Sequence, residues 1–329
     1  MANQPRLLAI GIATRQRREM VSHLLSALLK LERPSHIQLR FILVENEAEL
    51  HLTDSVSDFQ KQLRENDKVI HALESRMGIP FARNRILKLA HEHECVLLAF
   101  LDDDVIPKTN WLMEMVNELQ HQQLDLVGGP VHLAPLNIKE TNWENRLVWR
   151  GLNYRFRRIE FVAKLYHQKG KADQVTVITS SWLAGLRFLK EHNLQFDESM
   201  GLSGGTDSRF YRELKAAGGK TGWAPGAIVS ETWPLSRLTL AYQYSRGRDQ
   251  AIAHFYNIYP RIQLLTLLSS LAFIVSKLMT ALLLIPIGCF GIGSAATGAM
   301  RSLGMGVGRF RALAGHKSSH YQTVSPKQP

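Results

Sequence analysis

Three adjacent carboxylates form the first candidate site in the chain. Asp102, Asp103 and Asp104 follow the apolar run 95–99 and precede the apolar residues 105–107. Neighbouring acids repel one another at neutral pH, so a fold that keeps them together is expected to supply a cation. Carboxylate oxygens are the ligands that Mg²⁺ and Mn²⁺ prefer. The sequence therefore predicts a cation site here.

The apolar run before these acids indicates the element that positions them. A continuous apolar run bounded by turn signals is typical of a buried strand in an α/β sheet, and ligands bind at the carboxyl ends of such strands. If the extended geometry persists, Asp102 and Asp104 point to one side and Asp103 to the other. The alternative is an acidic turn leading to a helix that Asn110 caps.

A second acidic residue stands beside a pair of glycines. The segment Ser203 to Phe210 contains Gly204, Gly205 and Asp207, and it precedes a predicted helix that runs to about residue 217. Glycines allow the backbone to approach a ligand closely. Asp207 is therefore a candidate general base, and its alternative role is to cap the helix.

The elements around the two acidic sites alternate between strands and helices. Strands are predicted over 7–13, 37–44 and 68–72, and helices over 19–31, 81–91 and 111–120. This alternation is typical of a mixed, mostly parallel, Rossmann-like α/β sheet with flanking helices. We expect one domain over residues 1–235, with an insertion at about 137–173, and a helical C-terminal region over 236–329.

The charge of the chain favours an anionic partner. Forty Lys and Arg residues oppose 29 Asp and Glu residues, which gives a net charge of +11. The insertion at 137–173 mixes arginines with aromatic residues, a composition that suits a membrane surface, nucleic acid or simply a solvated basic face. No nucleic-acid-binding motif accompanies it. We therefore expect no nucleic-acid partner.

The C-terminal region is unusually apolar. Residues 278–300 carry no charge and are long enough to span a bilayer, but Pro286 and four glycines weaken a straight helix. Basic residues on both flanks favour the cytoplasmic side for both ends. We predict a re-entrant hairpin or a pair of interfacial helices on the cytoplasmic face of the membrane. The alternative is a helical pair buried in the folded domain.

Five motifs occur in an order that resembles a known family. The chain is similar to family 2 inverting glycosyltransferases of the GT-A fold, and most of all to the glucosyltransferases that build succinoglycan-type exopolysaccharides. The resemblance covers roughly residues 6 to 260. It rests on residues 13–15, 44–46, 78–84, 100–107 and 203–210.

The resemblance implies a role for each matched residue. Asp207 matches the catalytic base, and Asp104 matches the ligand of a divalent ion, Mg²⁺ or Mn²⁺, that bridges the donor diphosphate. The residues matched to donor binding are Thr14, Arg15, Glu45, Arg83, Asn84, Asp102 and Asp103. Glu45 stands where the family usually has Asp against uracil, so the donor implied is a UDP-sugar.

Some positions depart from the family pattern. Thr206 replaces the Glu that usually precedes the base, and the segment Val229-Ser230-Glu231 replaces one in which relatives often have His. Thr206 removes a negative charge beside Asp207, which eases ionisation of that base. The candidate acceptor or auxiliary residues are Trp182, Gly204, Gly205 and Glu231.

These expectations combine into one function. We expect a metal-dependent hexosyltransferase that moves a sugar from a nucleotide donor to a lipid-linked saccharide at the inner face of the membrane, in polysaccharide or glycolipid biosynthesis. The alternatives are a nucleotidyltransferase, which also pairs carboxylates with a metal, and a catalytically inactive membrane scaffold derived from a transferase. The chain lacks the glycine-rich, Lys-containing loop expected of the first, whereas Thr206 is compatible with the second.

Overall fold

The structure, a computed structural model, describes residues 6–177, 180–201, 205–259 and 263–316. Two compact units make up these residues. The first contains the chain up to His132, then Ile159–Gly201 and Thr206–Thr232, and the second contains Leu133–Arg158 and the chain from Trp233 onward. The division of the sequence at 235/236 into two domains stays a prediction.

A seven-stranded sheet forms the centre of the first unit. Its order is β3-β2-β1-β4-β8-β6-β9, and a three-stranded sheet has the order β5-β10-β7. The strands are β1 (Arg6–Thr14), β2 (Ile37–Glu45), β3 (Lys68–Leu73), β4 (Leu97–Asp102), β5 (Val105–Pro107), β6 (Leu126–Gly128), β7 (Val131–Leu133), β8 (Ser181–Gly185), β9 (Thr221–Trp223) and β10 (Val229–Glu231).

The large sheet is mixed and mostly parallel, which confirms the predicted fold class. Strands β1, β2, β3 and β4 pair in parallel, β6 pairs in parallel with β9, and only β8 runs antiparallel to its neighbours. The central strands are apolar along nearly their whole length because both faces are covered. The core beneath β4 includes an aromatic group formed by Phe100, Trp182, Phe196 and Phe210.

Helices connect the strands of the first unit. The three helices that the sequence predicted there are confirmed with slightly different ends, and α2 lies where no helix was predicted. The helices are α1 (Arg18–Leu28), α2 (Thr53–Gln62), α3 (Ile79–Glu92) and α4 (Trp111–His121). Pro80 lies in the first turn of α3, where its missing N–H costs nothing.

The expected alternation of the three aspartates is wrong. Strand β4 ends at Asp102, and Asp103 and Asp104 form a turn before β5 joins the other sheet. The geometry is therefore not extended across the three acids. As a result Asp103 and Asp104, rather than Asp102 and Asp104, share one cationic partner.

The predicted insertion contains a long helix. Residues Trp143–Gln168 form α5, and a short 3₁₀ turn at Ile138–Glu140 precedes it. The chain continues through α6 (Leu186–Glu191) and α7 (Thr206–Ala216) to the last three helices, α8 (Leu240–Ile258), α9 (Leu264–Cys289) and α10 (Gly293–Leu313).

The apolar C-terminal region forms two helices. The uncharged stretch 278–300 is divided between α9 and α10 because the chain turns at Gly291, which has φ 80°. Among the described residues α9 is the one helix long and apolar enough to cross a membrane, and 6% of its apolar window is buried. Helix α10 packs closely on α8. The approach is so close that a Cβ at Gly304 would meet the backbone of Tyr244, and a Cβ at Gly308 would meet that of Arg248.

Candidate functional site

The carboxyl ends of β1 and β4 bring the first site residues together. The two strands are adjacent and parallel, with Ala13 opposite Asp102. Their next residues, Thr14 and Asp103, therefore lie side by side, and the Thr14 hydroxyl donates a 2.8 Å hydrogen bond to Asp103 Oδ2. This is the edge of a parallel sheet at which ligands bind.

Arg17 provides the cation for two of the aspartates. Its Nη1 lies 2.6 Å from Asp103 Oδ1 and 3.0 Å from Asp104 Oδ2. Burial raises the pKa of Asp103, although Arg17 and Thr14 both favour its carboxylate form. Burial would lower the pKa of Arg17, but Asp103 and Asp104 raise it above its ordinary value. The ion pair thus offsets part of the cost of burying Asp103 and Asp104, which we call the acidic turn.

Arg83 joins the remaining aspartate to the second acidic site. This α3 side chain is 6% exposed, and its Nη2 lies 3.2 Å from Asp102 Oδ1 while its Nη1 binds Asp207 Oδ1. Burial raises the pKa of Asp102 to about 6; Arg83 opposes the rise, and Asp104 and Asp207 add to it. The structure thus brings Arg83, Asp102 and Asp207 together, while the roles that the resemblance implies for them stay predictions.

Asp207 lies in the first turn of α7, one residue after Thr206. Negative charge is favourable in a first helical turn. Its side chain is 32% exposed, so a substrate can reach the carboxylate. The buried Thr206 hydroxyl donates to Asp207 Oδ1 at 3.2 Å. The residue that departs from the family pattern therefore contacts the candidate base directly.

Two predicted donor-binding residues make internal bonds. The buried Glu45 carboxylate accepts hydrogen bonds from the backbone N–H of His51 and Leu52, and it lies 2.7 Å from His71 Nε2. The Asn84 amide bonds to the backbone N–H and C=O of Phe196, at 2.8 Å each. Both side chains hold loops in place, and their predicted contact with the donor stays a prediction.

The other predicted donor residue, Arg15, has no hydrogen bond or ion pair to any part of the chain that the structure describes, and it is half-buried in the loop after β1.

The candidate acceptor residues lie in different surroundings. Trp182 is 2% exposed and packs between Phe100 and Phe210 in the core. Glu231 ends β10 opposite Val105, the residue after Asp104. Gly205 has φ 98°, a conformation that favours glycine. Gly204 lies outside the described residues. The acceptor roles of all four remain predictions.

The carboxylate oxygens at and beside the acidic turn suit a divalent ion. Asp102 and Asp104 offer carboxylate oxygens, which Mg²⁺ and Mn²⁺ prefer. Across the described residues, no three His, Cys, Asp or Glu side chains converge on one point. Mg²⁺ sites often use one or two carboxylates and complete their shell with substrate phosphates and water. The chemistry therefore fits an ion that a diphosphate would help to hold, and the role of Asp104 as its protein ligand stays a prediction.

Arg17 is the site residue that sequence reasoning missed. It belongs to the basic turn 14–18, so the sequence shows its positive charge. The direction of its side chain could not be predicted, because a loop has no periodic pattern of buried and exposed residues. The usable signal was its position just after β1, since the loop at that strand end must lie beside the end of any adjacent parallel strand.

This fold and this site define a class of enzyme. The family model for Glycosyl transferase family 2 matches residues 9–188, which include the acidic turn, Arg17 and Arg83. The chain belongs to this family and is a glycosyltransferase.

Individual relatives agree with that assignment. The chain is 27% identical over 252 residues to the succinoglycan biosynthesis protein ExoM of Rhizobium meliloti (strain 1021), which covers 75% of this chain and 73% of that protein. A solved mannosyltransferase, PcManGT from Pyrobaculum calidifontis in complex with GDP-Man and Mn²⁺, aligns with a TM-score of 0.54 and 15% identity, covering 96% of this chain and 76% of that one.

Structures of S. aureus TarS align less closely. Their TM-scores are 0.49, with 12% identity over 92% of this chain for one and 13% over 93% for the form in complex with UDP-GlcNAc. The chain spans 55% of the first TarS chain and 91% of the second. Both scores are lower than that of the mannosyltransferase, on which the fold comparison therefore rests.

Proposed function

We propose that this glycosyltransferase moves a hexose from a UDP-sugar to a lipid-linked saccharide, with inversion and with a divalent ion. The observation that carries the proposal is that Arg83 in the first unit lies between Asp102 and Asp207, with Asp103 and Asp104 directly after Asp102. This arrangement supplies carboxylates for an ion, a cation for a leaving phosphate and an exposed carboxylate for a base.

Asp207 would act on the acceptor hydroxyl. Its carboxylate takes the hydroxyl proton while the acceptor oxygen forms a bond to the anomeric carbon of the donor sugar. The bond from that carbon to the diphosphate breaks at the same time, and the electron pair leaves with the nucleoside diphosphate. Attack opposite the leaving group inverts the configuration. Arg83 supports the orientation of Asp207 through its Nη1.

The loop after β1 and the acidic turn would hold the donor. Arg15 has no partner within the described chain, so its guanidinium is available to a diphosphate oxygen. Thr14, Asp102 and Asp103 would lie along the ribose and sugar hydroxyls. A bound Mg²⁺ or Mn²⁺ on Asp104 would neutralise charge on the leaving diphosphate.

Two observations support the setting of the reaction. The similar protein ExoM is described as a succinoglycan biosynthesis protein, which favours a polysaccharide or glycolipid product. Helix α9 exposes many large apolar side chains, which favours attachment to a membrane, and the flanking basic residues favour its cytoplasmic face. An acceptor carried on a lipid would be available at that face.

A screen of nucleotide sugars tests the proposal. The full chain is heated with UDP-, GDP- and dTDP-sugars, with and without Mn²⁺, and its melting temperature is recorded. We expect a UDP-sugar to raise the melting temperature only when Mn²⁺ is present. The donor that stabilises best should then release UDP when a lipid-linked saccharide is added. Binding of UDP with no turnover of any donor would favour the scaffold alternative instead.

A further inference from the structure

Helix α10 carries a buried arginine that hydrogen-bonds to neutral side chains. Arg301 is 7% exposed, and its guanidinium bonds to two neutral amide oxygens, Gln243 Oε1 at 3.1 Å and Gln250 Oε1 at 2.6 Å. Burial of a charged group costs free energy unless an opposite charge compensates it. Amide oxygens satisfy hydrogen bonds, but they do not neutralise the charge.

A second arginine lies on the same face of α8. Gln243, Gly247 and Gln250 all face Arg301, because a Cβ at Gly247 would meet the Arg301 backbone and the two glutamines bond its side chain. Residues three and four apart share one helix face. Arg246 falls within this series, three residues after Gln243, and so points toward the same region.

A third arginine comes from α5. Its Gly151 lies against the first residue of α10, since a Cβ at Gly151 would meet the backbone of Gly293. Arg155 follows one turn later on the same face of α5, and Arg301 lies about two turns after Gly293. The helices therefore bring Arg155, Arg246 and Arg301 together, and we call these three residues the arginine cluster.

The electrostatics agree with this convergence. Burial lowers the pKa of Arg301 to about 9, and Arg155 and Arg246 add to the effect. At neutral pH the side chain still remains a cation. In the described part of the chain, no carboxylate lies within 4.0 Å of the guanidinium of Arg155 or Arg301. Arg155 is exposed and Arg246 half-buried, so a ligand can enter the cluster from solvent.

We propose that the arginine cluster binds the phosphate or diphosphate group of a lipid, and that this lipid carries the saccharide acceptor. The second half of the proposal rests on the proposed function. An anion would supply the compensating charge, and a guanidinium has more N–H donors than the two that Arg301 uses. Arginine groups recognise phosphate oxygens by paired hydrogen bonds.

The helices next to the cluster favour a lipid over a soluble phosphate. Helix α10, which carries Arg301, packs against α9 as well as α8. The α9 side chains that remain exposed include Leu264, Leu265, Leu268, Leu271, Leu282 and Leu283. A ligand with a phosphate head and a hydrocarbon tail would satisfy both the cluster and this apolar surface.

Inorganic pyrophosphate is the first probe. Titration calorimetry on the full chain uses saturating UDP and Mn²⁺ in every sample, so that the donor site is occupied and the difference in binding between variants reports the cluster. We expect Arg246→Gln and Arg155→Gln each to weaken pyrophosphate binding about tenfold, because each removes a charge-assisted contact. Arg311→Gln, an exposed change of equal charge at the end of α10, should leave the affinity unaltered.

Vesicles identify the source of the phosphate. Phosphatidylcholine vesicles doped with a polyprenyl diphosphate are compared with vesicles doped with phosphatidylglycerol to the same surface charge. We expect the unaltered chain to prefer the polyprenyl diphosphate vesicles and Arg246→Gln to lose that preference, with UDP affinity unchanged. Similar binding to both vesicle types would assign the cluster to bulk headgroups and overturn the acceptor assignment.

Two further outcomes would overturn the binding site itself. Pyrophosphate affinity that is unchanged in both cluster variants, or reduced as much by Arg311→Gln, would show that the cluster is structural or that the charge acts diffusely. Donor turnover is measured separately on the same samples. If turnover fails while pyrophosphate binding depends on the cluster, the proposed function is wrong and the anion site stands.

Discussion

Two regions of the chain place arginines in opposite electrostatic surroundings. In the first unit, Arg17 and Arg83 each lie between two carboxylates. In the second unit, Arg301 contacts two amides and has other arginines as its electrostatic neighbours. In the first arrangement two arginines face four carboxylates, which leaves an excess of negative charge for a cation to neutralise. In the second, the side chains that bond the Arg301 guanidinium among the described residues are neutral, so we expect the two regions to receive ligands of opposite charge.

The largest expected effect tests the acidic residues of the first unit. Asp207→Asn retains an oxygen for Arg83 and for the first turn of α7 but cannot accept a proton. We therefore expect transfer to slow by ~10²-fold or more, since a positioned base typically contributes 10²–10⁴-fold. Donor affinity and melting temperature should change little. The measurements are the transfer rate, UDP affinity and thermal unfolding.

Asp207→Ala serves as the matched control for structure. It removes the oxygen that Asn retains for Arg83 and should lower the free energy of unfolding by about 1 kcal/mol. An Asn variant that is stable, binds UDP and transfers sugar at a near-normal rate would end the assignment of Asp207 as the base.

The second prediction compares the two regions directly. Arg83→Met leaves Asp102 and Asp207 without their shared cation, so we expect the free energy of unfolding to fall by about 3 kcal/mol. Arg301→Met loses two hydrogen bonds to amides but also removes repulsion from Arg155 and Arg246, so the loss should be about 1 kcal/mol. Scanning calorimetry on the full chain without donor or lipid measures both.

Equal losses of stability in the two variants would contradict the difference in electrostatic surroundings between the two regions. A larger loss for Arg301→Met than for Arg83→Met would show that an undetected counter-charge already compensates the second region.

The third prediction concerns the contact that positions Arg301. A Cβ at Gly304 would clash with the backbone of Tyr244, which cannot move without separating α8 from α10. We expect Gly304→Ala to lower the free energy of unfolding by about 2 kcal/mol, as overpacking typically does. Gly306→Ala is the control, because its Cβ would lie 3.4 Å from a Leu278 methyl group; it should be neutral or stabilising by about 0.5 kcal/mol.

Thermal unfolding of the two glycine variants decides the matter. Equal effects would mean that the close approach of α8 and α10 contributes nothing to the packing, and the position of Gln243 and Gln250 opposite Arg301 would need another cause.

Much of the first unit could be predicted because its strands are continuous apolar runs with short connections. The pattern located β1, β2 and β4, and their parallel order placed Asp102 and Thr14 at one edge. The sequence could not show that the chain turns after Asp102, because this depends on β5 pairing with β10 in another sheet. The sequence also could not show that the Arg17 side chain points to Asp103 and Asp104, since a loop residue has no periodic face.

The second unit was less predictable for a different reason. Its helices pack through glycines at close approach, and glycine in sequence usually signals a break rather than an interface. The glycines within 278–300 therefore indicated a break in the helix rather than an interface. The arginine cluster draws one residue from each of α5, α8 and α10, so no local spacing could reveal it.

The smallest expected effect concerns the acidic turn, which pairs with Arg17 and is also the proposed site of the divalent ion. Arg17→Met removes the cation shared by Asp103 and Asp104, but the Arg17 side chain is 30% exposed and solvent screens part of the pair. Asp103 also keeps its bond from Thr14. We therefore expect the free energy of unfolding to fall by only about 1 kcal/mol without metal.

Mn²⁺ should reverse this loss, because a divalent ion at the acidic turn would supply the missing positive charge. In the unaltered protein the ion competes with the Arg17 guanidinium, so we expect Mn²⁺ with UDP to raise the melting temperature of Arg17→Met by more than it raises that of the unaltered chain. Arg18→Met, at the exposed neighbouring position, should respond as the unaltered chain does. Thermal unfolding with and without Mn²⁺ measures each shift. Equal shifts in all three proteins would show that Arg17 and the ion do not share the acidic turn, and the assignment of Asp104 as the metal ligand would lose its support.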